Sequence, residues 1–397
     1  MSVPMFERGN DMKLTVGSIS AFPSNLSVCY LETRSTTYAC VVQKTQVHTV
    51  NWDNKNESVS WDSINISDTS TDKPVNVLQA AFVLPNARTL PLLVVGTMCG
   101  AQIFDIRTQK LLQRQNIDIG LDEPDDSSFW NSFCRGISCN DNTILIGTSF
   151  GHIIQFLCTG ETSISSKKCL KVEFCFDSLI VCCRFLRSTA HRLQLHITCV
   201  YIRLVSLALG YLMTAAERWS GHHTAEVEHS ASIADITTCR YDEITCSGDC
   251  SGTIIVWSKN IKGVQLKIAT QHPITVMNIL RKQVIVGTVR GRVLFYSVSG
   301  GELMAEVCAH ARSVTCISVA PESAYVLTGS EDGRFIVYKL HTRKPQAYQV
   351  EYRFSDELPN CAIMGAQFTN GRGSNIAVAC FDHNAIYGYR IVKKASV

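Results

Sequence analysis

The stretch HARSVTCISVAPESAYVLTGSEDGRFIVYKL, residues 310–340, decides the fold of this chain. Short apolar runs alternate with small polar residues, and turn clusters end the runs, which is the pattern of successive β-strands. The cluster GSEDG ends on Gly333, and an aromatic residue, Tyr338, follows five positions later. This glycine and aromatic give a reference frame for finding further copies of the unit.

The frame recurs along the chain. Further copies stand at Gly100, at Gly151 with Phe156, at Gly252 with Trp257, at Gly291 with Tyr296, and at Asn384 with Tyr389. Asparagine is the usual replacement where a glycine takes positive φ. The residue numbers give intervals of 51, 101, 39, 42 and 51. Most of these intervals lie near the ~40–50 residues of one four-stranded propeller blade.

A histidine precedes the first apolar run in three of the units, always at the same offset. The histidines and the apolar residues four and seven positions later are His229 with Ile233 and Ile236, His272 with Val276 and Ile279, and His310 with Val314 and Ile317. An active site is needed only once. A histidine that is repeated at one offset therefore indicates a structural role in each copy.

These units resemble WD repeats. In that family a histidine before the first strand, a Ser or Thr on the second, an Asp in the following turn and a Trp on the third form a hydrogen-bonded set. The resemblance implies such a set in two units and places His272 at the histidine position of a third. The matching residues are His310, Thr328, Asp332 and Tyr338 in one unit, with Tyr replacing Trp, and His229, Ser247 and Trp257 in the other, where Ser251 stands at the Asp position.

The sequence thus predicts an all-β protein, a seven-bladed β-propeller of the WD-repeat type. Blades 1–3 are predicted in residues 25–162 and blades 4–7 in residues 228–394. We expect the N-terminal segment, residues 1–24, to pair with the last blade, because this closes the ring without a long unpaired edge. Residues 395–397 form a short tail.

Residues 163–227 lack the turn, glycine and aromatic frame. We interpret them as an irregular, partly helical insertion between blades 3 and 4, or as a translated intron in the gene model. A third hypothesis is a membrane anchor, because residues 195–215 reach the ~20 residues that span a bilayer. Arg203 near the middle of that span argues against a membrane helix, since charge is costly there. An eighth blade is the remaining alternative.

Composition and motifs exclude several function classes. The formal net charge is +3, from 37 basic and 34 acidic residues, which argues against a nucleic-acid partner. No nucleophile motif or phosphate loop is present, and the spacing of Cys239, Cys246 and Cys250 is not that of a zinc finger. We therefore predict a protein that is not an enzyme and has no cofactor or metal. Eighteen cysteines without a signal-like start predict reduced thiols and a cytoplasmic location.

The predicted function is a scaffold that binds other proteins, as a monomeric propeller within a multiprotein assembly. Propeller loops from different blades present several surfaces at once. One motif supports an alternative: IFDIR, residues 103–107, resembles the Trp-Asp-x-Arg ending of WD-repeat substrate receptors of cullin-type ubiquitin ligases. This resemblance implies that Phe104, Asp105 and Arg107 contact a ligase adaptor. Phe104 departs from that pattern, which has Trp there.

Overall fold

The alternating apolar runs form antiparallel strands, which are arranged in seven sheets. The computed structural model describes residues 4–15, 17–53, 59–68, 71–117, 133–167, 229–239, 241–259, 261, 263–342 and 348–392. A single 3-10 turn, Glu32–Arg34, is the only helical element in these ranges. The seven sheets confirm the predicted all-β, seven-bladed propeller.

The strands follow one another blade by blade. Two short N-terminal strands come first: β1 (Phe6–Arg8) and β2 (Met12–Lys13). Blade 1 contains β3 (Ser27–Leu31), β4 (Thr36–Gln43), β5 (Gln46–Asp53) and β6 (Val59–Asn65). Blade 2 contains β7 (Val77–Val83), β8 (Leu92–Thr97), β9 (Gly100–Asp105) and β10 (Leu111–Asn116). Blade 3 contains β11 (Cys134–Asn140), β12 (Thr143–Thr148), β13 (Ile153–Cys158) and β14 (Ile164–Ser166).

The second half of the chain supplies the other four blades. Blade 4 contains β15 (Ile233–Cys239), β16 (Ile244–Asp249), β17 (Thr253–Trp257) and β18 (Val264–Ala269). Blade 5 contains β19 (Ile274–Leu280), β20 (Gln283–Thr288), β21 (Arg292–Ser297) and β22 (Leu303–Cys308). Blade 6 contains β23 (Val314–Ala320), β24 (Tyr325–Ser330), β25 (Arg334–His341) and β26 (Gln349–Glu357). Blade 7 contains β27 (Ile363–Phe368), β28 (Asn375–Cys380) and β29 (Ala385–Ile391).

The first strand of each blade lies innermost, since the first strands of neighbouring blades contact one another around a central channel. The fourth strands are the most exposed; in β22, for example, every residue is exposed or half-buried. The hydrophobic core fills the spaces between neighbouring sheets. One of its clusters joins Phe335 of blade 6 to Phe368 and Val378 of blade 7.

A ring of polar side chains links the innermost strands. Each of these strands is the edge of its sheet, and an edge that lines a narrow channel needs partners for its backbone groups. Neighbouring blades supply them through side chains. In five of these bonds a side-chain oxygen accepts a backbone N–H of the next blade: Ser27 Oγ that of Phe82, Gln79 Oε1 that of Gly136, Asp235 Oδ2 that of Met277, Ser318 Oγ that of Phe368, and Gln367 Oε1 that of Val28. In the other two, Ser138 Oγ donates to Thr238 Oγ1 and Asn278 Nδ2 donates to the Ile317 carbonyl oxygen.

The N-terminal strands complete blade 7. β1 pairs antiparallel with β29, with Phe6 opposite Ile391 and Arg8 opposite Tyr389, and β2 pairs with the beginning of β29. The fourth strand of the last blade therefore comes from the start of the chain. This arrangement holds the ring together through backbone hydrogen bonds between the two ends of the chain.

The segment predicted as an insertion begins later than residue 163. β14 belongs to blade 3 and extends to Ser166, because three residues there continue the pairing with β13. The predicted insertion from residue 168 onward, the span 195–215 and the tail 395–397 lie outside the described residues. In the part of the chain that the structure describes, no helix is long and apolar enough to cross a membrane.

Gly291→Ala is expected to lower the free energy of unfolding by about 2–3 kcal/mol. Gly291 has a φ of +75°, and a Cβ atom there would meet the backbone oxygen of His310. Alanine is strained at this φ. Its Cβ atom also clashes, because the blade 5 turn packs directly on the chain that enters blade 6. Urea denaturation would measure the loss. Gly160→Ala is the matched control, since nothing lies within 4 Å of its Cβ position. Equal losses in the two variants would contradict the packing argument.

Candidate functional site

Blade 4 holds a buried hydrogen-bond set built on His229. Its Nε2 lies 2.6 Å from Ser247 Oγ and its Nδ1 lies 2.9 Å from Asp249 Oδ2. Trp257 Nε1 donates to Ser247 Oγ at 2.8 Å. Residue 229 lies on the chain entering the blade, whereas the other three residues lie on its second and third strands. The set therefore fixes the entering chain to the sheet.

The carboxylate of this set is Asp249, not a residue at the predicted position 251. Asp249 lies two residues earlier, and its Oδ1 accepts hydrogen bonds from the backbone N–H groups of residues 251–253 and from Ser251 Oγ. Burial by itself raises the pKa of Asp249, but the hydrogen bonds from His229, Ser251 and Thr253 outweigh it and hold the pKa below its usual range. The carboxylate is thus ionised and stabilises both the turn and the histidine.

The blade 6 set brings together His310, Thr328 and Asp332. His310 Nε2 lies 2.9 Å from Thr328 Oγ1, and its Nδ1 lies 3.2 Å from Asp332 Oδ2. Burial by itself raises the pKa of Asp332. Hydrogen bonds from His310, Arg334 and Ala311 outweigh this effect and lower the pKa to about 2. Tyr338 is buried beside this set, yet no hydrogen bond joins its hydroxyl to Thr328 in the described structure. Tyrosine therefore contributes packing where tryptophan contributes a donor.

The structure does not bring His272 into such a set. The frame places Val286 and Arg290 where blade 6 has Thr328 and Asp332. Neither residue offers a hydroxyl or a carboxylate to the imidazole, and the ring is only half-buried. The backbone N–H of His272 bonds to Thr270 Oγ1 at 3.2 Å. Blade 5 thus keeps the histidine but has no corresponding partners for its ring among the described residues.

The order Asp249, His229, Ser247 is the bonding order of a hydrolase triad. Exposure to solvent distinguishes this buried set from a catalytic triad. Ser247 and Asp249 are 0% exposed and His229 is 2% exposed. The Ser247 oxygen also accepts the indole N–H of Trp257, so a substrate carbonyl has no route to it. The arrangement stabilises the blade and lacks the open position that a nucleophile needs.

The IFDIR motif lies at the end of β9. Phe104 is buried between blades 1 and 2. Asp105 Oδ1 accepts the backbone N–H of Arg107 at 2.8 Å, and its Oδ2 lies 3.9 Å from the buried guanidinium of Arg88. The side chain of Arg107 is exposed. Of the three predicted partner-binding residues, Arg107 is the one whose side chain is exposed.

The central channel encloses a polar cavity of about 270 Å³. Asp235 lines it and accepts backbone N–H bonds from Ile236 at 2.9 Å and Met277 at 2.8 Å. Arg135 reaches over this part of the ring and donates to the Thr275 carbonyl at 3.0 Å. No group of three or more potential metal ligands occurs among the described residues.

Burial raises the pKa of Asp235 to about 6, against the opposing effects of the Met277 N–H and Arg135. The folded protein therefore binds this proton more tightly than the unfolded chain. Stability falls as pH rises from about 4 to about 6, by up to about 3 kcal/mol, and is level above that window. We expect Asp235→Asn to remove this dependence. Urea midpoints of both proteins between pH 4 and pH 7 would test it, and parallel curves would contradict it.

Several of the exposed apolar side chains lie at one end of the blades. The turns between second and third strands all lie at this end, here called the top face, because every innermost strand runs in the same direction along the channel. Phe150, Val289 and Phe381 stand on such turns. Ile19 and Phe22 are also exposed and precede β3 at the same end, where Ser18 O accepts from Asp382 N at 2.6 Å.

Comparisons with known proteins agree with this architecture. The WDR54 family model matches residues 197–392. Mouse WD repeat-containing protein 54 is 23% identical over 385 residues, covering 95% of this chain and 97% of the relative. The human protein of the same name is 21% identical over 372 residues, covering 92% of this chain and 94% of the relative.

A solved structure supports the fold alone. A chain in the crystal structure of the mitotic checkpoint complex superposes with a TM-score of 0.63 at 12% identity, covering 99% of this chain and 96% of that one. The blade hydrogen-bond sets, the seven sheets and the relatives over nearly the full length lead to one assignment. The chain resembles the WD-repeat β-propellers and, among them, WD repeat-containing protein 54.

Proposed function

We propose that this propeller is a non-catalytic scaffold in a multiprotein assembly and binds its partners through the top face. WD-repeat propellers are generally protein-interaction scaffolds and generally non-catalytic. The observation that supports the top face in this chain is the presence of exposed apolar side chains on its turns. Phe150 and Val289 are 40% and 52% exposed, and such side chains on a rigid frame suit a protein partner.

A matched pair of variants tests this proposal. Phe150→Ser with Val289→Ser removes apolar surface from the top face. Leu303→Ser with Met304→Ser removes it from the outer strand of blade 5, where the two side chains are 48% and 38% exposed. Affinity capture from cells with quantitative mass spectrometry should show proteins that the wild type and the blade 5 variant retain and the top-face variant loses. Losses confined to the blade 5 variant would overturn the proposal.

The ubiquitin-ligase receptor stays a second hypothesis for the IFDIR motif. The exposed side chain of Arg107 supports it, whereas Asp105 is engaged within its own chain. Arg107→Ala therefore tests the motif without disturbing the buried Arg88. Recovery of a cullin adaptor by the wild type but not by this variant would favour the receptor. If neither protein recovers an adaptor, the hypothesis fails.

The cytoplasmic location and the membrane anchor are two further hypotheses. Residues 195–215, the predicted anchor, lie outside the described residues. Fractionation of cells into soluble and carbonate-washed membrane fractions separates them. An integral anchor predicts that the full chain stays with washed membranes, and a deletion of residues 195–215 releases it. Recovery of the full chain in the soluble fraction would remove the anchor hypothesis.

A further inference from the structure

Blade 7 contains a cluster of thiol, imidazole and phenol groups that the sequence patterns do not indicate. Cys361 Sγ lies 3.2 Å from His383 Nε2, and His383 Nδ1 lies 2.6 Å from the Tyr387 hydroxyl. The thiol also lies 3.3 Å from the Pro359 carbonyl oxygen. Cys361 packs on the core cluster that contains the buried thiol of Cys380.

The cluster lies at the same end of its blade as the hydrogen-bond set of blade 6. His383 stands one residue before Asn384, as Asp332 stands one residue before Gly333 in blade 6. Cys361 lies on the chain entering blade 7, two residues before β27, whereas His310 lies four residues before β23 in blade 6. Blade 7 thus pairs a cysteine with a histidine close to where blade 6 pairs a histidine with an aspartate. This pair puts a nucleophile beside a base at the top face.

We propose that Cys361 and Cys380 form a thiol pair that peroxide oxidises to a disulfide, with His383 accepting the Cys361 proton. This inference does not rest on the proposed scaffold function. Cys361 is half-buried and Cys380 is buried, so Cys361 is the thiol that meets peroxide first. Cys380 then acts as the resolving thiol.

The reaction balances with a hydroperoxide as the only co-reactant. His383 Nε2 takes the Cys361 proton, and the sulfur attacks one peroxide oxygen as the O–O bond breaks. The departing hydroxide takes the proton from the imidazolium and leaves as water. The Cys380 sulfur, after losing its proton, displaces the hydroxyl of the resulting sulfenic acid, which forms the S–S bond and a second water. The two sulfurs supply the two electrons that reduce the peroxide.

The surroundings support proton transfer to His383. Burial raises the pKa of Cys361, while the Cys380 thiol and the Arg8 charge lower it in part. The resting thiol is therefore protonated and needs a base in order to react. The Tyr387 hydroxyl can accept Nδ1–H from the protonated ring, so the imidazolium keeps two partners. Arg8 lies 4.7 Å from the centre of the Tyr387 ring and adds positive charge beside the cluster.

Peroxide treatment of the native full-length protein tests the proposal. Alkylation of the remaining thiols, followed by peptide mass spectrometry, gives the rate at each cysteine. We expect a Cys361–Cys380 disulfide, and faster oxidation of Cys361 than of the exposed Cys308, to which no imidazole hydrogen-bonds in the described structure. His383→Gln should slow oxidation of Cys361 by about tenfold or more. Cys380→Ser should stop the reaction at a sulfenic acid that dimedone traps.

Two results would overturn the proposal. One is oxidation of Cys308 at least as fast as that of Cys361 in the wild type. The other is an unchanged rate of Cys361 oxidation in His383→Gln. Tyr387→Phe is measured beside it as a control variant that keeps the imidazole and the phenyl ring. Circular dichroism of each variant shows whether it is folded. If His383→Gln does not fold, the comparison of Cys361 with Cys308 and the Cys380→Ser product still decide the outcome.

Discussion

Asp249→Ala is expected to lower the free energy of unfolding by about 3–5 kcal/mol. The carboxylate is fully buried and accepts five hydrogen bonds: four at Oδ1 from the 251–253 turn and one at Oδ2 from His229. Alanine leaves these donors without partners in an interior that water does not reach. Urea denaturation followed by tryptophan fluorescence would measure the loss. Asp249→Asn keeps one acceptor oxygen, so we expect it to lose roughly half as much.

A pair of histidine variants separates the hydrogen-bond set from general packing. His229→Ala removes a ring that bonds to both Ser247 and Asp249. His272→Ala removes a ring at the same offset in the next blade, where the frame offers no hydroxyl or carboxylate. We expect a loss of about 2–4 kcal/mol for the first and less than about 1 kcal/mol for the second. Equal losses would contradict the assignment of stability to the set.

Phe6→Ala is expected to lower the free energy of unfolding by about 3–5 kcal/mol. Phe6 is 2% exposed, and its ring centre lies 5.3 Å from that of Phe354. It belongs to the cluster between blades 6 and 7 and anchors β1 against β29. Its loss leaves a cavity and also weakens the strand that closes the ring. Denaturation measures the first effect, and size-exclusion chromatography detects association through a released β29 edge.

The neighbouring residue provides the control for Phe6. Glu7 lies on the exposed side of β1 and pairs with Arg390 at 2.8 Å, with both side chains largely in solvent. We expect Glu7→Ala to stay within about 1 kcal/mol of the wild type, since exposed ion pairs contribute little. If Glu7→Ala destabilises as much as Phe6→Ala, the β1 backbone rather than the aromatic contact closes the ring.

Sequence periodicity located six of the seven blades because each of the six repeats one turn with a glycine or asparagine at the same position. Gly291 illustrates the reason: its positive φ and its contact with the next blade leave no room for a side chain, so the residue type reports the geometry. The same periodicity located the His310 and His229 units. It failed for the carboxylate of blade 4, because Asp249 reaches His229 through the conformation of its turn, which residue spacing does not encode. Periodicity also predicted a hydrogen-bond set for His272, but Val286 and Arg290 stand at the two partner positions. Neither side chain has the hydroxyl or carboxylate that the set requires.

The sequence by itself determined the all-β class, the seven blades and the residues of the best-preserved unit, since these depend on local patterns that each blade must satisfy alone. Only the tertiary structure decided which side chains meet between blades. The Asp235 to Met277 and Ser138 to Thr238 hydrogen bonds join residues of neighbouring blades that are 42 and 100 positions apart. Such pairs form because closure of the ring brings separate strands and turns together, and closure is a property of all seven sheets at once.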